Sequence, residues 1–374
     1  MTFPIVGVIG AGQLARMMVP PAIDLGIYLT LFASDSKDSA AQIAQHVVGN
    51  LNETDSVLKW ARTCDVVTFE HEQIPQELIL AMQAEGIKVF PSASAFSYSQ
   101  NKLLMRAKMA DLNLPNPRWE KYEGGEVSIE FPLIAKSVTG GYDGRGVFLI
   151  SSAEELVALY RQINSPLLIE EKLNFDYEIA VMVARSSHGQ AATWAPTLTV
   201  QGDGICTQTV TPIPDISEEL SSRASHIALT IAQGIDLVGV MAVEIFVVGD
   251  QLIINELALR PHNSGHWSIE GSVTSQFEQH LRAVLDLPLG DTSMVAPYAV
   301  MGNVIGIETD KSGDLYRPYL HLMARNPRLR IHQYMKQLRP GRKVGHVTLL
   351  GDDLLHLRSE VRHAVDYLSG AIDE

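Results

Sequence analysis

The chain has 374 residues, 46% hydrophobic and 19% charged, which is too long for one ordinary core and suits two or three domains. Its formal net charge of -14 argues against a nucleic-acid-binding surface, so an anionic substrate must meet a local reversal of sign. Two cysteines, Cys64 and Cys206, follow no metal spacing and make no disulfide framework, which fits a reducing, cytoplasmic setting.

The chain passes from Met1 through Pro4 directly into Ile5-Val6-Gly7-Val8-Ile9, with none of the marks of a secretory signal. From there to about Phe90, strands are expected at residues 5–9, 28–32, 66–69 and 88–90, with helices such as residues 76–85 between them. That alternation predicts a parallel sheet with crossover helices. Pro20-Pro21 is expected to end or kink the first helix early. A first domain is placed at residues 1–100.

A central α+β region, residues 101–287, opens with a helix. Strands follow at residues 133–136, 147–150, 167–171, 178–185, 191–200, 241–248 and 252–258, interrupted by a long amphipathic helix over about 217–234. The longest apolar stretch, Val238 to Val248, is broken by Glu244 and too short to span a bilayer. The last segment, residues 288–374, reads as short-stranded with a closing helix near 359–368.

Several constellations bear chemistry. Gly10-Ala11-Gly12-Gln13 follows a strand and opens a helix, a setting in which a backbone approaches a phosphate. With Asp35 after the second strand it admits a nicotinamide-dependent oxidoreductase. The loop from Thr139 to Gly146 carries four glycines and Arg145, too many glycines for a tight hairpin alone, and suits a cover over a phosphate chain with Lys136 upstream. A long flexible hairpin is the plainer alternative.

Glu244 and Glu256 lie on consecutive strands joined around Gly249-Asp250. A three-residue connection, residues 249–251, places them directly opposite, whereas a two-residue loop places them on opposite faces. Opposed like charges require a cation, and Mg²⁺ takes oxygen ligands and bridges to nucleotide phosphates. Glu170-Glu171-Lys172-Leu173 with Glu178 forms a charged strand-to-strand hinge. The run from Asn255 to Trp267 begins as a buried strand and becomes a polar string that includes Arg260, His262, Asn263 and His266. Leu315 to Gly351 holds no Asp or Glu but eight Lys or Arg, and its segment from Lys336 to His346 resembles a clamp for one phosphate.

Together these residues resemble the ATP-grasp superfamily and, within it, the N5-carboxyaminoimidazole ribonucleotide synthetase family. The carriers are Gly12-Gln13-Leu14 with Arg16-Met17, Thr139 to Gly146, Glu178, Gly239 to Ala242 before Glu244, Asn255 to Trp267, and Arg339 to His346. The resemblance covers nearly the whole chain. It implies an ATP-grasp fold with an N-terminal Rossmann-like parallel-sheet domain and a small C-terminal β-rich domain.

The resemblance also implies ATP with Mg²⁺ or Mn²⁺, and an ATP-dependent carboxylation of 5-aminoimidazole ribonucleotide by bicarbonate through carboxyphosphate. By position, Lys102, Lys136, Gly141, Tyr142, Asp143, Gly144, Arg145, Gly146, Val147, Glu170, Glu171, Lys172, Leu173, Glu178, Gln201, Asn255 and Glu256 would hold the nucleotide. Glu244 and Glu256 would bind the metal. Tyr142, Asp143, Arg145, Arg260 and Glu70 would face the chemistry, while His262, Asn263, His266, Lys336, Arg339, Arg342 and Lys343 would hold the ribonucleotide. A homodimer, no nucleic acid and no membrane are implied.

The family often has Arg where Tyr98 stands, His where Gln201 stands and Pro where Leu259 stands, and the wider superfamily often has an Asn metal ligand where Ala258 stands. A formate-dependent glycinamide ribonucleotide transformylase is the nearest alternative. A catalytically dead nucleotide sensor is a further one.

Overall fold

The computed structural model describes residues 3–140, 146–202, 204–307, 316–337 and 339–372. Of the expected site residues, Gly141, Tyr142, Asp143, Gly144 and Arg145 lie outside the described residues.

The first sheet is parallel, in the order β3-β2-β1-β4, built from β1 (Ile5–Ile9), β2 (Tyr28–Ala33), β3 (Gln45–Val48) and β4 (Val66–Phe69). Parallel neighbours need crossovers. Helices α1 (Gln13–Asp24) and α2 (Thr54–Ala61) lie between strands, and α3 (Gln76–Ala84) follows β4. The early end expected at Pro20-Pro21 does not occur, and α1 continues through both prolines. Proline's fixed φ is compatible with a helix, and the Leu25 N–H still reaches the Pro21 carbonyl at 3.0 Å. Residues 88–90 form no strand, only a parallel bridge between Val67 and Val89.

Helices α4 (Ala93–Gln100) and α5 (Lys102–Asp111) meet at Asn101, whose side chain caps α5 by accepting from the Leu103 and Leu104 N–H groups. A second, antiparallel sheet follows in the order β5-β8-β6-β7. It comprises β5 (Trp119–Tyr122), β6 (Leu133–Ser137), β7 (Val147–Ile150) and β8 (Leu167–Glu171), with α6 (Ala153–Ile163) between the last two.

The third sheet runs in the order β14-β13-β9-β11-β12-β15-β17-β16, with β10 on the edge of β9. Its strands are β9 (Tyr177–Arg185), β10 (Ala191–Thr193), β11 (Thr197–Gly202), β12 (Ile205–Thr211), β13 (Gly239–Val248), β14 (Gln251–Ala258), β15 (Tyr298–Ile305), β16 (Arg330–Gln333) and β17 (Lys343–Gly351). Long helix α7 (Glu218–Gly234) packs against it, Ser217 accepting from the Leu220 N–H as its cap. The single strand expected at 191–200 is split at Ala195-Pro196, since proline has no N–H for the ladder. Of the C-terminal strands, expected to be short, only β16 is so. β15 and β17 have eight and nine residues and extend the central sheet, with α8 (Ser268–Gly271) and α9 (Gln276–Val284) before them in the chain, α10 (Arg317–Arg325) between them and α11 (Leu354–Ser369) after.

One core is continuous between the first domain and the central sheet, running from Phe69, Phe96 and Met105 to Ile231, Ile245 and Ile254. A buried histidine adds a polar tie. His280, on α9 (Gln276–Val284), accepts the Val240 N–H at 3.1 Å through Nδ1, so Nε2 bears the proton and donates to Thr68 Oγ1 at 2.7 Å. Its ring lies against Gly239, at φ +120°, where a Cβ would approach within 3.0 Å. Among the described residues, no helix is long and apolar enough to cross a membrane.

Candidate active site

The β13–β14 hairpin has a two-residue connection, Gly249-Asp250, and pairs regularly as far as Ile245 with Ile254. A register shift then inserts Asn255, so that Glu244 pairs with Glu256. Of the two alternatives, the two-residue connection is the one present, yet the glutamates are paired as the three-residue connection would have placed them. A β-bulge restores the shared face that a two-residue turn alone would have removed.

Glu178, on β9, joins this pair. Burial pushes its carboxyl up to about 7, helped by the nearby Glu256 charge and opposed by the Gln201 amide, which donates to Glu178 Oε1 at 3.4 Å. Glu244 is pushed up to about 8, first by burial and then by Glu178 and Glu256. Two carboxyls pushed up by burial, with a third and more open one beside them, favour a bound cation or a proton. Among the described residues, no group of three or more His, Cys, Asp or Glu could hold a metal by itself. The donor set therefore suits a hard divalent ion that draws its remaining ligands from nucleotide oxygens and water.

His262 Nε2 lies 3.4 Å from Glu244 Oε1. Burial, then Arg260 and Lys343, hold His262 well below the usual imidazole range, so it is neutral. Because its Nδ1 accepts the Ser264 N–H, the proton sits on Nε2, the ring nitrogen nearer Glu244.

Across from the hairpin, Lys136 on β6 reaches Glu170 Oε2 at 2.7 Å and Asn255 Oδ1 at 3.1 Å. Burial lowers the Lys136 ammonium against the pull of Glu170. Burial would raise Glu170, but Arg106 and Lys136 outweigh it and hold the carboxylate below its usual range. Lys102 Nζ stands 3.7 Å from Glu256 Oε2. Val147 pairs with Lys136 at the base of the glycine-rich loop, and the Gly146 carbonyl accepts the Ser137 N–H at 2.8 Å. Glu171 ends β8 and accepts the Arg118 N–H at 2.7 Å; Lys172 and Leu173 follow outside the sheet.

A cleft of about 890 Å³ opens between the first domain and the C-terminal segment. Gly10, Gly12 and Glu70 line one wall, and Lys336, Arg339 and Arg342 line the other. Lys336 Nζ donates to Gln13 Oε1, joining the two ends of the chain. At the start of α1, Glu70 accepts from the Gly12 N–H at 2.7 Å and the Ala15 N–H at 3.4 Å. A Cβ on Gly12 would come within 2.5 Å of Glu70 Oε1. The protein's own carboxylate thus fills the place where a dinucleotide pyrophosphate would sit, which removes the structural ground for the oxidoreductase reading.

Arg260 connects the cleft to the carboxylate corner. Its Nε donates to Glu72 Oε2 at 2.7 Å, and although burial opposes its charge, Glu72, Glu70 and Glu256 hold it above the usual guanidinium range. Asn263 exchanges two amide hydrogen bonds with Asn303, at 2.8 and 2.7 Å. Lys343 acts electrostatically on Glu244 and His262.

His266 departs from its expected place. It is completely buried, accepts from Gln276 Nε2 at 2.9 Å, and packs beside Phe277, Tyr334 and His346. Two residues that sequence reasoning passed over are prominent, Arg106 and Glu72. Arg106 carried no signal beyond a charge on a helix. Glu72 had a faint one, as the second carboxylate in Glu70-His71-Glu72 immediately after a strand.

Comparison with known proteins gives the same architecture. Residues 3–100 match a ribonucleotide synthetase preATP-grasp domain, residues 109–277 an ATP-grasp domain, and residues 299–360 a phosphoribosylaminoimidazole carboxylase C-terminal domain. The N5-carboxyaminoimidazole ribonucleotide synthase of Mycobacterium bovis is 41% identical over 98% of this chain and 88% of its own length. The N5-carboxyaminoimidazole ribonucleotide synthetase structure from Thermus thermophilus has a TM-score of 0.86 at 32% identity, over 99% of both chains. The Aspergillus clavatus synthase, solved with ADP and 5-aminoimidazole ribonucleotide, has a TM-score of 0.86 at 30% identity, over 98% of this chain and 99% of its own. The chain has the ATP-grasp fold and belongs to the N5-carboxyaminoimidazole ribonucleotide synthase family.

Proposed function

We propose that this chain uses ATP and bicarbonate to carboxylate the exocyclic amine of 5-aminoimidazole ribonucleotide, releasing ADP and phosphate. The observation that carries this reading is the position of Arg260. It is salt-bridged to Glu72 of the first domain and within the field of both Glu70 and Glu256, so it joins a phosphate-handling corner to a basic cleft.

In the first step a bicarbonate oxygen attacks the γ-phosphorus, a bond forms from that oxygen to phosphorus, and the bond to the β-phosphate oxygen breaks. Phosphoryl transfer calls for positioning and neutralisation of charge more than covalent help. Lys136 and Lys102 supply positive charge beside the opposed glutamates. Glu244 and Glu256 would hold Mg²⁺, which would supply further neutralisation of charge on the phosphate oxygens. His262 stands neutral beside Glu244, with Nε2 3.4 Å from its carboxylate, so it adds no cation there to compete with the metal.

In the second step the amine nitrogen attacks the carboxyphosphate carbon, or CO₂ released from it, and phosphate leaves. Lys336, Arg339 and Arg342 hold the ribonucleotide phosphate, and this is where the acidic chain reverses its sign. Glu70, anchored by the Gly12 N–H, faces the amine and takes its proton. Carboxyphosphate hydrolyses readily, so water must be excluded, and the loop from Thr139 to Gly146 serves that purpose. The Lys172-Leu173 segment beyond β8 receives adenine, and Glu178 takes the ribose hydroxyls.

On this reading the enzyme works in the cytoplasm as a homodimer, and light scattering of the purified chain tests the dimer. The activity itself is tested by ADP release with Mg²⁺ and labelled bicarbonate, with and without the ribonucleotide. Stimulation by the ribonucleotide, with label in an acid-labile carbamate, is the expected result. Turnover only with formate and glycinamide ribonucleotide would transfer the function to the transformylase.

A further inference from the structure

Arg106 is fully buried on α5, and each of its nitrogens has a defined acceptor. Nε donates to Glu170 Oε1 at 2.5 Å, Nη1 to the Ile254 carbonyl at 2.7 Å and to Asn116 Oδ1 at 3.3 Å, and Nη2 to the Asn255 carbonyl at 2.9 Å. The two carbonyls belong to the bulge that aligns Glu244 with Glu256. Glu170, in turn, belongs to the other sheet. One guanidinium therefore links the two sheets that flank the nucleotide corner.

The charges form an alternating row. Glu170 is gripped on one oxygen by Arg106 and on the other by Lys136. Lys136 is the group that must turn toward the phosphates, and when it does so Glu170 loses one of its two cations. A buried carboxylate left without a partner is costly, so a Glu170 with no second cation would hold Lys136 back.

We propose that Arg106 is a positioning residue for ATP binding: it balances Glu170 so that Lys136 can transfer its charge from Glu170 to the phosphates. Glu170 is the resting place of Lys136, and Arg106 lowers the cost of leaving it. This inference rests on the reading that Lys136 binds phosphate. It differs from a purely structural role for Arg106 in one respect, which is that the carboxylate causes the harm when Arg106 is lost.

The test is equilibrium binding of Mg²⁺·ATP to the full-length wild type, Arg106→Met, Glu170→Gln and the double variant, with a melting temperature for each. Arg106→Met is expected to bind at least about tenfold more weakly, from the several kcal/mol typical of a broken buried pair. Adding Glu170→Gln should recover most of that loss, although the double variant lacks more contacts. A double variant no better than Arg106→Met, or an Arg106→Met variant that binds as the wild type does, overturns the proposal.

Should Arg106→Met not fold, Arg106→Lys preserves the charge while breaking the fork. It is expected to melt earlier yet bind ATP within about threefold of the wild type, because the charge and not the fork sets the exchange. A loss of tenfold or more in a folded Arg106→Lys variant would overturn the proposal too. A wild type that does not bind Mg²⁺·ATP would instead remove the ATP-binding reading beneath it.

Discussion

Glu244 and Glu256 are cross-strand partners because Asn255 is inserted as a bulge between Glu256 and the turn. With the regular register of residues 245–248 continued, Glu256 would oppose Val243 and point away from Glu244. The bulge does a second thing, since the residue it inserts offers Oδ1 to Lys136 and its carbonyl to Arg106. One extra residue thus sets the carboxylate pair and ties it to the cationic side of the corner.

The pair should make the free protein pH-sensitive. Glu244 titrates at about 8 when folded, far above an unfolded glutamate, so between those values the folded state binds more protons than the unfolded state. Stability should therefore fall as pH rises from about 5 to 8.5. Glu244→Gln should flatten the Glu244 share of this slope, and differential scanning fluorimetry across that range checks it. Mg²⁺·ATP should restore the wild type at high pH and have little effect on the variant.

Glu256→Ala should abolish ATP turnover while the chain remains folded. The residue is only partly buried and its removal relieves the repulsion on Glu244, so loss of the Lys102 bridge at 3.7 Å costs little. Circular dichroism together with ADP release decides the matter, and wild-type turnover would remove the metal assignment.

Lys336→Ala should act mainly on the ribonucleotide. Loss of one charged phosphate contact is worth roughly 1.5–3 kcal/mol, which is about a 10- to 150-fold rise in KM with a smaller change in kcat. Steady-state kinetics at saturating ATP checks it, and an unchanged KM would place the phosphate elsewhere.

Gly12→Ala should separate Glu70 from the nucleotide corner. The added methyl would sit 2.5 Å from Glu70 Oε1, so the carboxylate must shift from the start of α1. We expect carboxylation to fall at least about tenfold while ATP binding is preserved, because misplacing a reacting group by about 1 Å can cost two orders of magnitude. Label incorporation measured alongside ATP affinity distinguishes this from general damage.

Much of the framework was legible in the order of residues. The run of β-rich segments to Phe69 predicted the parallel sheet, and β7 and β8 begin and end where expected. The basic stretch around Lys336 stood out because no acid interrupts it, and it lies on the cleft. What escaped reading depended on tertiary context. β3, Gln-His-Val-Val, has almost no apolar contrast and is recruited by the edge of β2. The bulge at Asn255 leaves no periodic trace, since it shifts one residue within a run that is apolar on both sides. Arg106 resembles any surface charge on a helix until Glu170, 64 residues away, is folded against it. Conversely His266, conspicuous in a polar string, is enclosed by packing that no local pattern announces.

The continuous third sheet bears on how such a chain can be taken apart. Strands β12 and β15 are hydrogen-bonded neighbours, from Gln208 with Gly302 to Thr211 with Ala299, although a family boundary falls between them. A fragment cut before β15 would bare one flank of β12, and the discarded piece would bare the matching flank of β15. Both would be sticky unpaired edges of the kind that drive aggregation. The last segment is thus an indispensable wing of the central body and not a detachable module, and recombination between relatives should succeed at the loops after β4 more readily than within this sheet.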